Sequence, residues 1–448
     1  MNNCFHLNNI KLQYHQKKAI TFIMNPKNHS ILLFHSLGAG KTLASLAMAN
    51  CLMTNYPGKN VLVITPASLT STFSREAKRM KLTFEPTIES FDIFINREKK
   101  ERRNCKNTIV IVDEVQGLNG ETSVRFKRIF NCVKNAFKVI LLSATPVKNK
   151  PEDITNQVSL LLGHDDNKRK IENTMIISDP VKRREQIRKI LKCKVSYYNK
   201  ANSSDTSDYP SVTVHVKKFT MTSEYYKEYY NIQENIKKDI PDIFKNTKNL
   251  TVFLNGVRRA VNISNIVSPK IIWIIEKIKQ DMKDNKKVLV YSNWIDTGLN
   301  IIGKMLDLLD IKYSKVSGDM KREEKDESVL KYNKNKNNVI LLSSSGGEGL
   351  SLKGTRTIII LEPHWNETKI NQVIGRGIRY KSHSHLPESQ RHVDVYHLLL
   401  EKPYRETDLS FPSADIFLYK LSKLKQQRID DFYSILKDIS IENDKSCN

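Results

Sequence analysis

The sequence predicts an α/β protein with two tandem, doubly wound parallel-sheet domains and a mainly helical segment inserted between them. Short, continuously apolar, β-branched runs occur in two series, one in the first third of the chain and one in the last third. Each run ends at turn residues and is followed by a helix-like stretch, as expected for parallel strands buried on both faces. The chain of 448 residues also exceeds what one hydrophobic core usually supports.

The apolar runs predict four strands in each domain. Residues 1–165 form the first predicted domain, with strands SILLF (30–34), VLVIT (61–65), TIVIVD (108–113) and VILLS (139–143). Residues 266–448 form the second, with strands KVLVYS (287–292), VILLS (339–343), TIIIL (357–361) and VDVYHLLL (393–400). Strands that alternate with helices in this way are typical of doubly wound folds.

The segment 166–265 has a different pattern. It begins with a basic stretch of helical period, 166–192, and continues through a polar loop to an alternating run that predicts a strand at 212–219. Residues 222–240 again favour a helix and carry several tyrosines. We expect an inserted subdomain or elaborate linker whose tyrosines pack in a core, with base stacking as the alternative.

The charge balance favours a polyanionic partner. Lys and Arg number 73 against 48 Asp and Glu, which gives a formal net charge of +25. Such an excess attracts nucleic acid through long-range electrostatics and counterion release. The alternative is a lysine-rich proteome encoded by an AT-rich genome.

The cysteines and the hydropathy pattern predict a soluble intracellular protein. Six cysteines are scattered without a Cys-x-x-Cys pair or a Cys/His cluster, which predicts reduced thiols and no zinc module. No apolar run approaches the length of a membrane span, and the N-terminus lacks a signal sequence. We therefore expect no membrane partner.

A phosphate-binding loop is predicted at HSLGAGKT (35–42), between an apolar strand and a helix. Backbone N–H groups at a helix N-terminus bind phosphate oxygens, Lys41 would reach the outer phosphates, and the Thr42 hydroxyl would bind magnesium. His35 stands where the strict pattern has its first glycine. The predicted ATP-binding residues of this loop are His35, Ser36, Leu37, Gly38, Ala39, Gly40, Lys41 and Thr42.

An acidic pair follows the strand at 108–112. Asp113 would join Thr42 as a ligand of Mg²⁺, and Glu114 would orient or deprotonate the attacking water. The separation of about seventy residues between loop and acidic pair predicts that their strands are neighbours in one sheet. Ser-Ala-Thr-Pro (143–146) is the third motif in this order.

The second domain carries the pattern Q-x-x-G-R-x-x-R at Gln372, Gly375, Arg376 and Arg379. Arginines three apart on a helix share one face, so both could act as arginine fingers on ATP held by Lys41. Gly349, in a Gly-rich turn after a strand, is a further predicted nucleotide contact. The predicted catalytic residues are Lys41, Glu114, Gln372, Arg376 and Arg379.

Motifs of these kinds in this order resemble the superfamily 2 helicases and translocases, over nearly the whole chain. IKLQYHQKKAITFI (10–23) is similar to the N-terminal Gln motif of the Swi/Snf-like branch, and LLSATPVKNKPEDI (141–154) to its Thr-Pro-x-x-Asn stretch. SSSGGEGLSLKGTR (343–356) and GRGIRYKSHSHLPESQRHVDVY (375–396) resemble a viral group that contains nucleoside triphosphatase I and the early transcription factor small subunit.

This resemblance implies two RecA-like domains, hydrolysis of ATP with Mg²⁺ between them, and tracking of duplex DNA by its backbone. It also implies that Gln16 contacts adenine. Gln116 ends the acidic box where many relatives have His, and because Gln both donates and accepts hydrogen bonds we expect altered coupling with hydrolysis retained. This superfamily often tolerates a residue such as His35 at the entry of the loop.

The leading hypothesis is an ATP-driven DNA translocase in transcription or replication of a large DNA virus or cytoplasmic element. If the protein is viral, we expect it in the host cytoplasm and in some cases packaged in the virion. RNA polymerase or transcription factors are candidate partners. Strand separation is one alternative, and a non-catalytic scaffold bound to a polymerase is another. Thr65, Ser292 and Ser343 are predicted DNA contacts. The stretch 168–194, with ten Lys or Arg against three acidic residues, is either a DNA clamp or a solvated face.

Overall fold

The computed structural model describes residues 10–36, 38–101, 104–118, 124–147, 150–163, 172–174, 177, 179–199, 209–240, 247–344, 350–403 and 412–447. The chain divides into two compact units. Unit 1 comprises 1–206 and 425–448, and unit 2 comprises 207–424. Unit 1 is discontinuous in sequence, because the whole of unit 2 lies between its two pieces.

Unit 1 contains a six-stranded parallel sheet. Its strands are β1 (Ser30–His35), β2 (Asn60–Thr65), β3 (Thr87–Ser90), β4 (Thr108–Val112), β5 (Lys138–Ser143) and β6 (Val195–Tyr198). Their order across the sheet is β3-β2-β4-β5-β1-β6, and every pairing is parallel. The helices of this unit are Tyr14–Met24, Lys41–Asn55, Thr70–Met80, Phe91–Lys100, Val124–Val133, Thr155–Leu162 and Pro180–Leu191.

Unit 2 contains a second six-stranded parallel sheet. Its strands, with a small antiparallel pair (β8 and β9), are β7 (Ser211–Thr220), β8 (Ile263–Ser264), β9 (Ile266–Val267), β10 (Lys287–Ser292), β11 (Tyr313–Val316), β12 (Val339–Ser343), β13 (Thr355–Ile360) and β14 (His392–Glu401). The order is β11-β12-β10-β13-β14-β7. The helices are Ser223–Lys238, Thr247–Val257, Pro269–Lys283, Asn300–Asp307, Arg322–Asn333 and Glu367–Gly377. A long helix, Ala414–Asp438, begins in unit 2 and ends in unit 1.

Each sheet is covered on both faces, as the continuous apolar runs predict. Along β1, Ile31 packs in one core cluster and Leu32 in another, because neighbouring side chains of a strand point to opposite faces. Along β10, Val288 and Leu289 divide in the same way. Burial of each such side chain contributes roughly 1.5–3 kcal/mol. The eight strands predicted from the apolar runs, the strand predicted at 212–219 and the doubly wound α/β class are confirmed.

The segment 166–265 supplies an edge strand to each sheet. Its β6 pairs with β1 in unit 1, and its β7 pairs with β14 in unit 2. Tyr225 and Tyr229 are each 1% exposed and belong to a core cluster, so the core interpretation is confirmed for these two tyrosines. The boundaries at 165 and 265 remain predictions.

The phosphate loop and the acidic pair follow strands that are not neighbours. β5 lies between β1 and β4, so the prediction of adjacent strands is wrong. The separation along the chain could not reveal this order, because a later strand can insert between two earlier ones. The insertion places the end of β5, with its Ser-Ala-Thr-Pro motif, between the two other motifs.

The cysteines differ from the prediction of reduced thiols. Cys105 is bonded to Cys132, and Cys193 to Cys447. The members of these pairs lie 27 and 254 positions apart, so only the folded chain brings them together. Within the described residues, no helix is long and apolar enough to cross a membrane.

Candidate functional site

The phosphate loop connects β1 to the helix Lys41–Asn55 in unit 1. Gly38 and Gly40 have φ of 79° and 75°, a left-handed conformation that glycine adopts without strain. A Cβ on Gly40 would lie 2.7 Å from Gln16 Nε2, so any other residue here would displace the Gln16 amide. The helix that starts at Lys41 points its first N–H groups toward the loop, where they favour an anion.

The ammonium group of Lys41 is held by the loop itself. Its Nζ donates hydrogen bonds to the main-chain oxygens of His35, at 2.9 Å, and Ser36, at 3.3 Å. An incoming phosphate would compete with these carbonyls for the same cation. Thr42 follows in the first turn of the helix, and Leu37 lies outside the described residues.

Gln16 contacts the phosphate loop from the helix Tyr14–Met24. Its Nε2 donates to Ala39 O at 3.2 Å, while its Oε1 accepts from Gln13 N at 2.9 Å. The side chain is 3% exposed. The structure therefore brings Gln16 to the predicted phosphate loop, and its adenine contact remains a prediction.

The acidic pair lies at the end of β4 in an unusual electrostatic environment. Burial, together with the neighbouring Glu114 charge, raises the pKa of Asp113 to about 7, although Lys41 and the Thr65 hydroxyl act in the opposite direction. Thr65 Oγ1 donates to Asp113 Oδ2 at 3.1 Å. Glu114 has a left-handed φ of 48°, which a non-glycine residue adopts at a cost of about 1–3 kcal/mol.

Gln116 links the acidic pair to the third motif. Its Oε1 accepts a hydrogen bond from Ser143 Oγ at 2.6 Å, and its Nε2 donates to Glu114 Oε2. Gln116 thus uses both its donor and its acceptor, as the substitution of His by Gln allows. Thr145 N in turn donates to Ser143 Oγ at 3.0 Å.

The side chains here fit a Mg²⁺ ion that arrives with a nucleotide. Asp113 is 5% exposed, and burial together with the Glu114 charge raises its pKa, an effect that a bound divalent cation would oppose. Within the described part of the chain, no group of three or more His, Cys, Asp or Glu side chains could hold a metal. Mg²⁺ commonly binds one or two carboxylates together with substrate phosphates and water, which suits Asp113 with the Thr42 hydroxyl.

Four residues that the sequence did not single out surround the entry of the loop. The ring of His15 stacks on Tyr198 with centroids 3.6 Å apart, and its edge meets the ring of His35 at 4.8 Å. His35 Nε2 lies 2.8 Å from Ser196 Oγ, which donates to Glu442 Oε1 at 2.6 Å. His15 could have been noticed beside Gln16, whereas no local pattern marks Ser196 or Glu442.

The arginine motif lies in unit 2 and corrects one prediction. The helix Glu367–Gly377 contains Gln372 and Arg376 but ends before Arg379, so the two arginines do not share a helix face. The two charges nevertheless interact. Burial, and to a smaller extent the charge of Arg376, lowers the pKa of Arg379 to about 10. Two like charges at half-buried positions favour an anionic ligand. Gly349 lies outside the described residues, and the roles of the other three remain predictions.

The three predicted DNA contacts are all buried. The Thr65 hydroxyl donates a hydrogen bond to Asp113 Oδ2, and the Ser292 hydroxyl donates one to Glu362 Oε1 at 2.9 Å. Ser343 is 2% exposed, and its Oγ has no hydrogen-bond partner among the described residues. The hydroxyls of Thr65 and Ser292 are therefore already hydrogen-bonded to carboxylates. Contact of any of the three residues with DNA remains a prediction.

The basic stretch 168–194 is partly engaged inside unit 1. In its helix Pro180–Leu191, Arg184 pairs with Asp438 and Arg188 Nη2 lies 2.7 Å from Asp444 Oδ2. Residues 168–171 lie outside the described part. The described portion therefore combines a protein-facing side with the exposed Lys182 and Lys189.

Family models match one segment in each half of the chain. The model described as type III restriction enzyme, res subunit, matches residues 9–84, and the helicase conserved C-terminal domain matches residues 269–381. The first range contains the phosphate loop, and the second contains the arginine motif.

Known proteins are similar to this chain over most of its length. A protein of Acanthamoeba polyphaga mimivirus named as an ATP-dependent RNA helicase is 32% identical over 98% of this chain and 99% of its own length. Nucleoside triphosphatase I of Choristoneura biennis entomopoxvirus is 24% identical over 99% of this chain and 81% of its own. The Hef helicase domain of Pyrococcus furiosus has a similar fold, with a TM-score of 0.54, 15% identity, and coverage of 91% of this chain and 98% of that one.

The near end-to-end match to the mimivirus protein and the tandem RecA-like sheets agree with the order of the motifs. The chain belongs to the viral helicase-like enzymes of superfamily 2, of the nucleoside triphosphatase I type, and is an ATP-hydrolysing enzyme.

Proposed function

We propose that this helicase-like ATPase is stimulated by nucleic acid and moves along duplex DNA in viral transcription or replication. The observation that carries the proposal is the arrangement in unit 1, where the phosphate loop, Gln16 and the Asp113–Glu114 pair are linked through Lys41 and Ala39. ATP with Mg²⁺ is the proposed substrate. The net charge of +25 supports a polyanionic effector.

Unit 2 offers candidate contacts for that effector at the end of β10. Ser292 is occupied by Glu362, but the next two residues carry buried donors, Asn293 Nδ2 and Trp294 Nε1, that have no partner among the described residues. Buried donors without partners are costly, and such exceptions call for a ligand or another explanation. The guanidinium of Arg259 lies 4.8 Å from the centroid of the Trp294 ring and adds positive charge. We propose that Asn293, Trp294 and Arg259 contact the nucleic-acid backbone.

The decisive experiment measures phosphate release from ATP with no effector, duplex DNA, single-stranded DNA and duplex RNA. We expect the largest stimulation with duplex DNA, and a stimulation that weakens as salt increases. The mimivirus relative is named as an RNA helicase, so preferential stimulation by RNA would replace DNA as the effector. Equal rates in all four conditions would contradict nucleic-acid dependence.

Translocation and strand separation are distinguished by a second assay. Displacement of a triplex-forming strand from duplex DNA reports movement along the duplex, whereas release of one strand from a forked duplex reports unwinding. We expect ATP-dependent triplex displacement without unwinding. Unwinding by near-stoichiometric enzyme would establish a strand-separating helicase instead.

The contacts proposed in unit 2 are tested with Trp294→Phe, which removes the indole N–H and keeps an aromatic ring. We expect a higher concentration of duplex DNA for half-maximal stimulation and an unchanged rate without DNA. Ile272→Ala, at an exposed apolar position of unit 2, is the matched control. An unchanged DNA requirement in Trp294→Phe would remove this residue from the interface.

A further inference from the structure

His35, the residue at the entry of the phosphate loop, ends a buried chain of hydrogen bonds. Its side chain is fully buried, and its Nε2 lies 2.8 Å from Ser196 Oγ on the edge strand β6. Ser196 Oγ lies 2.6 Å from Glu442 Oε1. These three side chains, here named the Glu442 relay, connect positions that are 161 and 246 residues apart.

The hydrogen bonds of the relay have one consistent direction. Ser196 donates its single hydroxyl proton to Glu442 Oε1, so it must accept from His35. Burial is the main cause that lowers the pKa of His35 well below its usual value, so the ring is neutral and carries its one proton on Nε2. His35 Nδ1 then has a lone pair, and no partner for it exists among the described residues. The relay therefore determines the tautomer and ring orientation of His35.

The segment 439–447 holds Glu442 in place. Ile441 N donates to Val195 O at 2.9 Å, so this segment lies along the edge of β6. Glu442 Oε2 also accepts from Tyr197 N at 2.7 Å. The disulfide between Cys193 and Cys447 fastens the far end of the segment. Both carboxylate oxygens of Glu442 are thus committed to β6.

β6 in turn holds the beginning of the phosphate loop. Ser36 N donates to Tyr198 O at 2.8 Å, and the relay holds the His35 side chain. The carbonyl oxygens of these same two loop residues accept the hydrogen bonds of Lys41 Nζ. A glycine at position 35 could not make this connection, because it has no side chain.

We propose that Glu442 and Ser196 are positioning residues for ATP, acting through His35 on the loop carbonyls that hold Lys41. The segment 439–447 thereby becomes part of the nucleotide-binding apparatus, although it lies some 400 positions after the loop. This inference rests on the proposed role of Lys41 as a phosphate ligand. Its expected signature is a change in the KM for ATP, because the relay sets the geometry in which phosphates are received and does not touch the attacked bond.

The test uses the full chain and compares Glu442→Gln, Ser196→Ala and His35→Gly with wild type. Glu442→Gln replaces one of the two acceptor oxygens by an N–H donor, so either Tyr197 N–H or the Ser196 hydroxyl loses its acceptor. We expect the KM for ATP to rise about tenfold, equivalent to about 1.4 kcal/mol, with kcat within about twofold of wild type. Asp438→Asn makes the same carboxylate-to-amide change at the neighbouring ion pair with Arg184 and should leave KM unchanged.

A double-mutant cycle separates the relay from general destabilisation. If Glu442 acts through His35, the double variant His35→Gly with Glu442→Gln has the same KM as His35→Gly alone. If the KM of the double variant instead rises by the product of the two single-variant effects, His35 and Glu442 act independently and the relay is overturned. If Glu442→Gln does not fold, Ser196→Ala decides the question, because it removes one hydroxyl without changing charge, and an unchanged KM in that variant overturns the proposal.

The same measurements distinguish failure of this inference from failure of the proposed function. Normal KM values in the relay variants, with ATP use lost in Lys41→Ala, overturn the relay and leave the phosphate loop in place. Normal ATP use in Lys41→Ala overturns the assignment of the loop itself, and the relay with it.

Discussion

The ammonium nitrogen of Lys41 lies 2.9 Å from the main-chain oxygen of His35, so the cation of the phosphate loop is held by the residue that replaces the loop's first glycine. The same cation lowers the pKa of Asp113, which burial and Glu114 raise. Lys41 therefore connects the loop after β1 with the carboxylates after β4, across the intervening strand β5.

Removing this cation should impair nucleotide binding first. In Lys41→Ala we expect affinity for ATP to fall by at least about tenfold, since a charge-assisted hydrogen bond to phosphate is lost. Titration of a fluorescent ATP analogue without nucleic acid measures the change. Lys78→Ala, at an exposed position of the helix Thr70–Met80, is the control. Equal affinities in the two variants would contradict the assigned role.

Glu114→Gln should separate binding from hydrolysis. The amide cannot accept the proton of the attacking water, and general-base catalysis typically contributes about 10²- to 10⁴-fold. We therefore expect phosphate release to fall by about a hundredfold or more while ATP still binds. The exposed Glu85→Gln should retain full activity. Turnover of Glu114→Gln at the wild-type rate would show that another group is the base.

The buried pair of Lys270 and Asp415 should be costly to break. Their side chains are 0% and 2% exposed, with Nζ and Oδ2 2.7 Å apart. In Asp415→Asn the Lys270 charge stays buried without its counter-ion, a loss of about 3–5 kcal/mol. Glu327→Gln, which breaks an exposed pair with Lys331, should have a much smaller effect, because solvent screens exposed ion pairs.

Hydrogen exchange of the β13 and β14 amides measures this loss of stability in unit 2. Lys270→Met with Asp415→Leu should be less damaging than Asp415→Asn, because the double change leaves no unpaired charge. A single variant as stable as wild type would show that water reaches the pair.

Acid should destabilise unit 1 through His15. Burial lowers the pKa of His15 from 6.5, its value in an unfolded chain, to about 4 in the folded protein. The hydrogen bond to Ala39 O raises this pKa, but by less. Between these values the unfolded chain binds a proton that the folded chain does not, so stability falls as pH drops from 6.5 toward 4. The loss from this residue is at most about 1.4 kcal/mol per pH unit.

Comparison of wild type with His15→Gln isolates this contribution, because other buried histidines titrate in the same direction. The free energy of unfolding of the variant should depend less steeply on pH over this window. Parallel curves would show that His15 becomes protonated without unfolding.

The fold was predictable where burial dictates the sequence. Strands covered on both faces, such as β1 and β4, must be continuously apolar, and all eight predicted runs are strands. β3, β6 and β11 were not predicted, because these four-residue strands at or near sheet edges mix polar and apolar residues. Strand order was not predictable either, since nothing local states that β5 inserts between β1 and β4.

The candidate site divides in the same way. Gly40 and Lys41 follow a local spacing that phosphate chemistry imposes, and the structure places Gln16 beside them. The helix end before Arg379 and the partners of His35 depend on tertiary contacts. Ser196 and Glu442 lie far from His35 in sequence, so only the sheet edge brings them to it.

The bond between Cys193 and Cys447 closes a covalent ring, and every residue of unit 2 lies on that ring. A single proteolytic nick between these two cysteines would therefore leave the pieces joined until the bond is reduced. On a denaturing gel the nicked protein should run as one species without reductant and as two with it. Even a fully unfolded unit 2 would remain a loop with both ends anchored on unit 1.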